Sequence, residues 1–151
     1  IIHSFDDERI KLITQDNIGP GASRNKALKE AHGEYIMYLD GDDWYSDDAL
    51  EIAYREASNK CTDFTFYQMI NYDDKTGKTY ENDWFNLNIF DESFENTVFN
   101  ISDFKGSIFD LSVSVCQKIY NTSFLRRINA KFPEGIFFED MPFFYYVLLK
   151  A

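Results

Sequence analysis

One apolar segment that ends in a group of carboxylates constrains the fold more than any other part of the chain. Residues 35–39 read Tyr-Ile-Met-Tyr-Leu, which is rich in strand-forming side chains and too short for an independent helix. The acidic turn, Asp40-Gly-Asp-Asp43, follows directly. Since ligands of open α/β sheets bind outside the carboxyl ends of the strands, this pattern predicts a ligand site at the acidic turn.

The chemistry of the acidic turn indicates a divalent cation. Neighbouring carboxylates raise one another's pKa unless a positive charge neutralises them. Mg²⁺ often binds through one or two carboxylates and substrate phosphates, so a metal that carries a diphosphate is predicted. The plain alternative is a solvated turn, because Asp-Gly is a common turn dipeptide. A standard calcium loop counted from Asp40 is excluded, since Trp44 and Tyr45 occupy positions that need an oxygen ligand and a glycine.

Length and composition restrict the class of protein. A chain of 151 residues with 44% hydrophobic residues is typical of one globular domain, predicted over residues 1–151. A net charge of −11 argues against a nucleic-acid-binding surface. Two cysteines, Cys61 and Cys116, are too few for a disulfide framework or a zinc site. Without a signal-peptide pattern or a membrane-spanning segment, the expected location is the cytoplasm, or the inner face of a membrane reached through a parent protein.

The first elements follow the order of a βαβ unit. A strand is predicted at residues 9–14, and then a loop over residues 15–22. A helix capped by Ser23 and stopped by Gly33 leads into the strand that carries the acidic turn. This order predicts an α/β fold with a mixed, mostly parallel sheet flanked by helices.

The rest of the chain continues this alternation, except in residues 84–112. That region has no clear period, but its phenylalanines recur every four to five residues, which favours packing on the sheet over a loop around an acceptor. The other predicted elements are a helix capped by Ser46, a strand at 63–70, a hairpin turning at 73–78, a strand at 113–120, a helix at 124–128 capped by Ser123 and a C-terminal helix opened by Pro142.

A second acidic pair, Glu139-Asp140, precedes the C-terminal helix. Asp140 is a good helix cap, and this is the favoured interpretation of the pair taken alone. A general base at the start of a helix is the alternative. The two roles are compatible, because a carboxylate has two oxygens.

Three stretches in order together resemble the family 2 glycosyltransferases, which have the GT-A (Rossmann-like) fold. They are Asn17-Ile-Gly-Pro-Gly-Ala-Ser-Arg-Asn25, Gly33-Glu-Tyr-Ile-Met-Tyr-Leu-Asp-Gly-Asp-Asp-Trp44 and Phe132-Pro-Glu-Gly-Ile-Phe-Phe-Glu-Asp140. Ser23 stands where the family usually has alanine. Residues 118–120, Lys-Ile-Tyr, are similar to the family's Lys-Leu-Tyr segment.

The resemblance implies a role for each matching residue. Asp42 and Asp40 are expected to hold Mn²⁺ or Mg²⁺, and Asp140 is expected to be the catalytic base. Glu139 would tune Asp140 by like-charge proximity. The residues expected to bind the nucleotide sugar are Asn17, Gly21, Arg24, Asp40 and Asp43.

The implied reaction is a single inverting displacement. Asp140 takes the proton of an acceptor hydroxyl, which attacks the anomeric carbon of a nucleotide-diphosphate sugar, with a UDP-sugar favoured. The expected acceptor is a glycan or a lipid-linked molecule, in the setting of polysaccharide synthesis. The alternatives are a nucleotidyltransferase and a non-catalytic module that binds nucleotide, metal or glycan.

The resemblance is incomplete at the start of the chain. Family members begin with a strand reading roughly Val-Ile-Ile-Pro-Val-Tyr-Asn, and a later strand ends in Asp-Asp-Gly-Ser. This sequence has neither. The chain is therefore expected to be a fragment that lacks the N-terminal nucleotide-binding strands. Such a fragment is expected to self-associate through an exposed sheet edge or to bind the nucleotide weakly.

Overall fold

Helices and strands alternate along the chain in the computed structural model. It describes residues 2–85, 87, 89–90, 94–104, 106 and 108–151. The elements are α1 (Pro20–Glu30), β1 (Tyr35–Met37), α2 (Ala49–Lys60), β2 (Phe64–Phe66), β3 (Asn71–Asp73), β4 (Lys78–Tyr80), β5 (Lys118–Asn121), α3 (Thr122–Arg127) and α4 (Asp140–Leu148).

The main sheet has three strands, with β5 between β1 and β2. Both outer strands pair antiparallel with β5, so that Tyr120 lies opposite Ile36 on one side and Phe64 on the other. The prediction of mostly parallel pairing is therefore wrong for the described strands. β1 and β2 do run in the same direction, but β5 enters between them from the opposite end and takes the hydrogen bonds of both.

The predicted strand at residues 9–14 is also wrong. These residues are irregular and mostly exposed in the structure. Alternation alone does not make a strand, because the N–H and C=O groups need a neighbouring ladder, and no described strand pairs with this segment. The predicted hairpin is confirmed, since β3 and β4 pair on either side of a turn that ends at Gly77.

The predicted helices exist, but their starts are shifted. α1 begins at Pro20 after Gly19, and the Ser23 hydroxyl donates back to the Gly19 carbonyl at 2.8 Å from inside the helix. The strand predicted at 113–120 is regular only in β5, since a 3-10 turn occupies Val115–Gln117. The residues at the N-cap positions are Asp48 for α2, Asn121 for α3 and Glu139 for α4, in place of Ser46, Ser123 and Asp140.

The core lies between the sheet and helices α3 and α4. Its centre is a set of fully buried side chains that includes Tyr120, Phe124 and Phe143. The predicted packing of the phenylalanine-rich region on the sheet is confirmed for four rings, which form a second cluster with Phe66 and Phe144: Phe90, Phe94, Phe99 and Phe104. No helix of the described residues is both long and apolar enough to cross a membrane.

A buried lysine, Lys118, begins the middle strand. Its Nζ donates to the carbonyl oxygens of Ser112 at 2.8 Å and Ser114 at 2.6 Å. It also lies 4.8 Å from the ring centre of Phe66 and 4.4 Å from that of Phe144. Burial lowers the pKa of Lys118 from 10.5 to about 7, and the charge of Asp140 opposes this shift.

The pKa of Lys118 predicts how stability changes with pH. Above about pH 7 the folded chain has lost a proton that the unfolded chain keeps up to about 10.5, so the free energy of unfolding should rise with pH. We expect a slope of up to about 1.4 kcal/mol per pH unit between pH 7 and 9 in urea unfolding curves. Lys118→Met should abolish this slope, whereas the exposed control Lys150→Met should keep it.

If the free energy of unfolding rises equally with pH in Lys118→Met and in the unchanged chain, Lys118 is not the group responsible. The measurement stops at pH 9 because burial raises the pKa of Cys116 from 9.0 to about 11, and this shift lowers the free energy of unfolding at higher pH.

Candidate active site

The start of α1 packs closely on the segment that leads to α4. Gly21 is buried, and a Cβ atom there would press into the carbonyl oxygen of Pro133 and lie 3.1 Å from Cγ of Glu139. Asn25 fixes the same segment one turn later. Its amide donates to the carbonyl of Phe132 and accepts from the N–H of Phe132, both at 2.8 Å.

Arg24 joins the acidic turn to the second acidic pair. Its Nη2 lies 2.7 Å from Oδ1 of Asp40, and its Nη1 lies 2.6 Å from Oε1 of Glu139. The guanidinium also lies 5.6 Å from the ring centre of Phe132. Only 16% of the Arg24 side chain is exposed, so solvent screens the pair with the buried Glu139 less than the pair with Asp40.

The acidic turn follows β1, where the sequence places it. The N–H of Asp43 donates to the carbonyl of Asp40 at 3.1 Å, and the Tyr45 hydroxyl donates to the Tyr38 carbonyl at 2.8 Å. Burial raises the pKa of Asp43, and the charges of Asp42 and Asp40 raise it further. A bound cation would relieve this repulsion.

A thiol lies beside these carboxylates. One ligand atom each of Asp40, Asp43 and Cys116 lies within 4.8 Å of the others. Burial raises the pKa of Cys116 to about 11, so its sulfur is protonated near neutral pH. The Tyr67 hydroxyl donates to the Cys116 carbonyl at 2.6 Å and holds that segment in place. Two carboxylates at this separation fit a hard divalent cation, which prefers oxygen ligands.

Asp140 occupies the first position of α4, next to Glu139. Its Oδ1 accepts from the N–H of Met141 at 3.0 Å. Burial raises the pKa of Asp140, and the charge of Glu139 raises it further, whereas the charge of Arg24 lowers it. This carboxylate is therefore a stronger base than an exposed aspartate.

The structure brings most of the predicted site residues together. Gly21, Arg24, Asp40 and Glu139 are in direct contact or adjacent, and the charge of Arg24 reaches Asp140. Two predicted residues stand apart. Asn17 accepts from the N–H of Gly19 at 3.1 Å in an exposed loop, and the carboxylate of the exposed Asp42 does not belong to the group with Asp43 and Cys116.

Sequence reasoning missed three contributors to the site. The sequence assigns no role in the site to Cys116, Asn25 or Phe132, although all three lie in or beside stretches that resemble the family. The bond from Asn25 to Phe132 spans 107 residues, so no local pattern could predict it. The stretch at residues 17–25 was the available signal for Asn25, because its asparagine directly follows Arg24.

Solved structures similar to this one identify the fold. Residues 1–349 of S. aureus TarS superpose with a TM-score of 0.68 at 26% identity, over 92% of this chain and 37% of that one. The structure of TarS in complex with UDP gives a TM-score of 0.67 at 25% identity, over the same shares. The α/β architecture with the acidic turn after β1 is thus the GT-A fold, and this prediction is confirmed.

Sequence comparison identifies the family. Residues 1–123 match the family described as Glycosyl transferase family 2, so the chain belongs to that family. It is 31% identical over 148 residues to a cholesterol galactosyltransferase of Borreliella burgdorferi, which covers 94% of this chain and 40% of that protein. It is 40% identical over 77 residues to the putative glycosyltransferase EpsH of Bacillus subtilis, covering 51% of this chain and 22% of EpsH. The chain thus spans less than half the length of these relatives.

The close contact at Gly21 gives a stability prediction. Gly21→Ala gains helix propensity of about 1 kcal/mol, but the new methyl group must displace the Pro133 carbonyl. Because overpacking of this kind costs about 1–3 kcal/mol, we expect a net loss of up to about 2 kcal/mol in the free energy of unfolding. Thermal or urea unfolding measures it. The matched control is Gly41→Ala, where no atom lies within 4 Å, and a loss of equal size there would contradict the contact.

Proposed function

We propose that this chain carries the donor site and the base of a metal-dependent, inverting glycosyltransferase. The observation that carries the proposal is the double ion pair of Arg24. It ties Asp40, in the acidic turn after β1, to Glu139, the neighbour of Asp140. A site for a sugar-nucleotide diphosphate and a site for a proton acceptor are thereby held side by side.

The donor we propose is a UDP-sugar. TarS, which shares this fold, has been solved in complex with UDP and with UDP-GlcNAc. The acidic turn follows a strand at the edge where ligands of open α/β sheets bind, and Arg24 pairs with its Asp40. Asn17 and Gly21, in the segment just before Arg24, are proposed to contact the donor as well. The donor diphosphate would draw Arg24 away from one of its carboxylates, because a guanidinium binds phosphate at least as well.

The proposed metal is Mn²⁺ or Mg²⁺. Asp40 and Asp43 would hold it with the ligand atoms that lie within 4.8 Å of one another, and Asp42 would join them by a movement of the exposed turn they share. Burial and the charges of Asp42 and Asp40 raise the pKa of Asp43, and a cation would relieve that repulsion. When bound, such a cation neutralises negative charge that develops on the departing diphosphate. The protonated thiol of Cys116 would line the site as a neutral neighbour.

The proposed base is Asp140. Its raised pKa suits a group that must accept a proton near neutral pH from an acceptor hydroxyl. As Asp140 takes the proton, the acceptor oxygen attacks the anomeric carbon from the side opposite the diphosphate, and the configuration inverts. Arg24 holds Glu139 close by, so the negative charge that raises the pKa of Asp140 stays in place.

The acceptor we propose is lipid-linked. Three apolar side chains directly before Glu139 point into solvent, with exposed fractions of 50% for Ile136, 92% for Phe137 and 78% for Phe138. We call them the apolar loop. Neighbouring aromatic side chains this exposed next to a proposed base fit the apolar portion of an acceptor. One relative is named as a cholesterol galactosyltransferase, whose acceptor is apolar by that name.

The site of action we propose is the cytoplasm. The two free thiols agree with this location, because disulfides are rare in the reducing cytoplasm.

Two substitutions separate the donor site from the base. Asp140→Asn should lower kcat by about 10²–10⁴-fold and leave UDP binding intact, because it removes only the proton acceptor. Asp42→Ala should weaken Mn²⁺-dependent UDP binding by about tenfold, equal to about 1.4 kcal/mol. Sugar transfer and calorimetric titration of UDP, with Mn²⁺ or with chelator, measure the two effects.

Asp74→Asn, in the exposed hairpin turn, is the matched control and should change neither quantity. Full transfer by Asp140→Asn would show that another group is the base. UDP binding that ignores both Mn²⁺ and Asp42→Ala would exclude the metal site.

The apolar loop predicts a selective effect on the acceptor. Phe137→Ser should raise KM for a lipid-linked acceptor by about tenfold, since burial of a phenylalanine contributes about 1.5–3 kcal/mol. UDP affinity and KM for a water-soluble glycan acceptor should not change. Steady-state kinetics with both acceptors measure this, with the exposed Leu50→Ser on α2 as control. An equal rise in KM for both acceptors would contradict the role of the apolar loop.

A further inference from the structure

A cavity of about 490 Å³ lies between α1, α3 and the segment 129–134. Volumes of this size are typical of sites for small molecules. Its apolar wall is formed by Leu28, Leu125 and Ala130, of which the last two are buried. None of the proposed donor or base residues lines it.

The rim of the cavity is positively charged, although the chain has a net charge of −11. Lys29, Arg126 and Lys131 line it, and the one lining carboxylate is that of Glu134. Glu134 is already engaged, since its Oε1 accepts from the Asn25 amide at 2.9 Å. Within the described part of the chain, none of the three cations forms an ion pair.

Helix ends explain only part of this charge. Lys29 lies in the last turn of α1, and Arg126 lies near the end of α3 and donates to the Ala31 carbonyl at 2.6 Å. Both positions suit the negative end of a helix dipole. Lys131 lies on neither helix, and its charge adds to the repulsion around the cavity. A bound anion would remove that repulsion.

We propose that this cavity binds a small phosphate-bearing anion with at least two negative charges. Phosphates combine such charge with several acceptor oxygens, which three separate cations can share. Phosphate binding in the cavity would not depend on a metal ion, because the cationic side chains would bind the phosphate directly. Binding of a diphosphate at the acidic turn is proposed to require a metal ion. The proposal therefore stands independently of the glycosyltransferase reaction.

Pyrophosphate is the probe, titrated calorimetrically into the 151-residue chain at constant ionic strength with chelator present. The chelator suppresses metal-dependent binding at the acidic turn. We expect saturable binding to the unchanged chain, and a loss of affinity of about tenfold in Lys131→Glu and in Lys29→Glu. Lys26→Glu is the matched control, because it makes the same charge change on α1 at an exposed residue outside the cavity. It should change the affinity by less than about twofold.

Three results would overturn the proposal. One is no binding to the unchanged chain, and another is an equal loss in Lys26→Glu and Lys131→Glu, which would indicate net charge alone. The third is binding that appears only with Mn²⁺ and disappears in Asp42→Ala, which would place the anion at the acidic turn. Sugar transfer and its loss in Asp140→Asn are measured separately, so failure here leaves the proposed reaction untouched.

Discussion

The double ion pair of Arg24 is the interaction on which the arrangement of the site depends. It connects residues that are 16 and 115 positions away in the sequence, and it does so from inside a helix. Glu139 is buried, so loss of its partner would leave a carboxylate without a counter-charge in a poorly solvated position. The pair with Asp40 is half-exposed, and it contributes less to stability than to the position of the acidic turn.

Helix α1 serves as the common support of the site. Gly21 lets the segment around Pro133 approach, Arg24 fixes Glu139 and Asn25 fixes the backbone of Phe132. These three residues lie within about one and a half turns of α1. The helix therefore fixes the position of the residues that precede α4. Sites built on helices and strands are positioned more precisely than sites on loops. In this structure, the residues before α4 lie in a loop, and their contacts with the helix α1 hold that loop in place.

Features with a local cause could be predicted from the sequence, and those with a distant cause could not. The acidic turn, α1 and the hairpin were predictable because strand formers, glycine and proline act on their neighbours. The prediction of a strand at residues 9–14 was wrong because a strand needs a partner strand, and an alternating pattern does not show whether one is present. The antiparallel pairing of β5 with β1 and β2 could not be predicted for the same reason. The position of Cys116 next to Asp40 depends on this pairing, so it could not be predicted either. Helix starts shifted by one to four residues because backbone geometry selects among several possible caps.

The buried side chain of Lys118 has a consequence for the alignment of the sheet. A slip of β5 by one residue against β1 and β2 would turn every side chain of β5 to the opposite face. Lys118 would then leave the rings of Phe66 and Phe144, whose centres lie 4.8 Å and 4.4 Å from its Nζ, and Cys116 would move away from the acidic turn. The contact of Lys118 with Phe66, its partner residue on β2, thus favours the observed pairing of these strands. The alignment of β5 in turn sets the position of Cys116 beside Asp40 and Asp43.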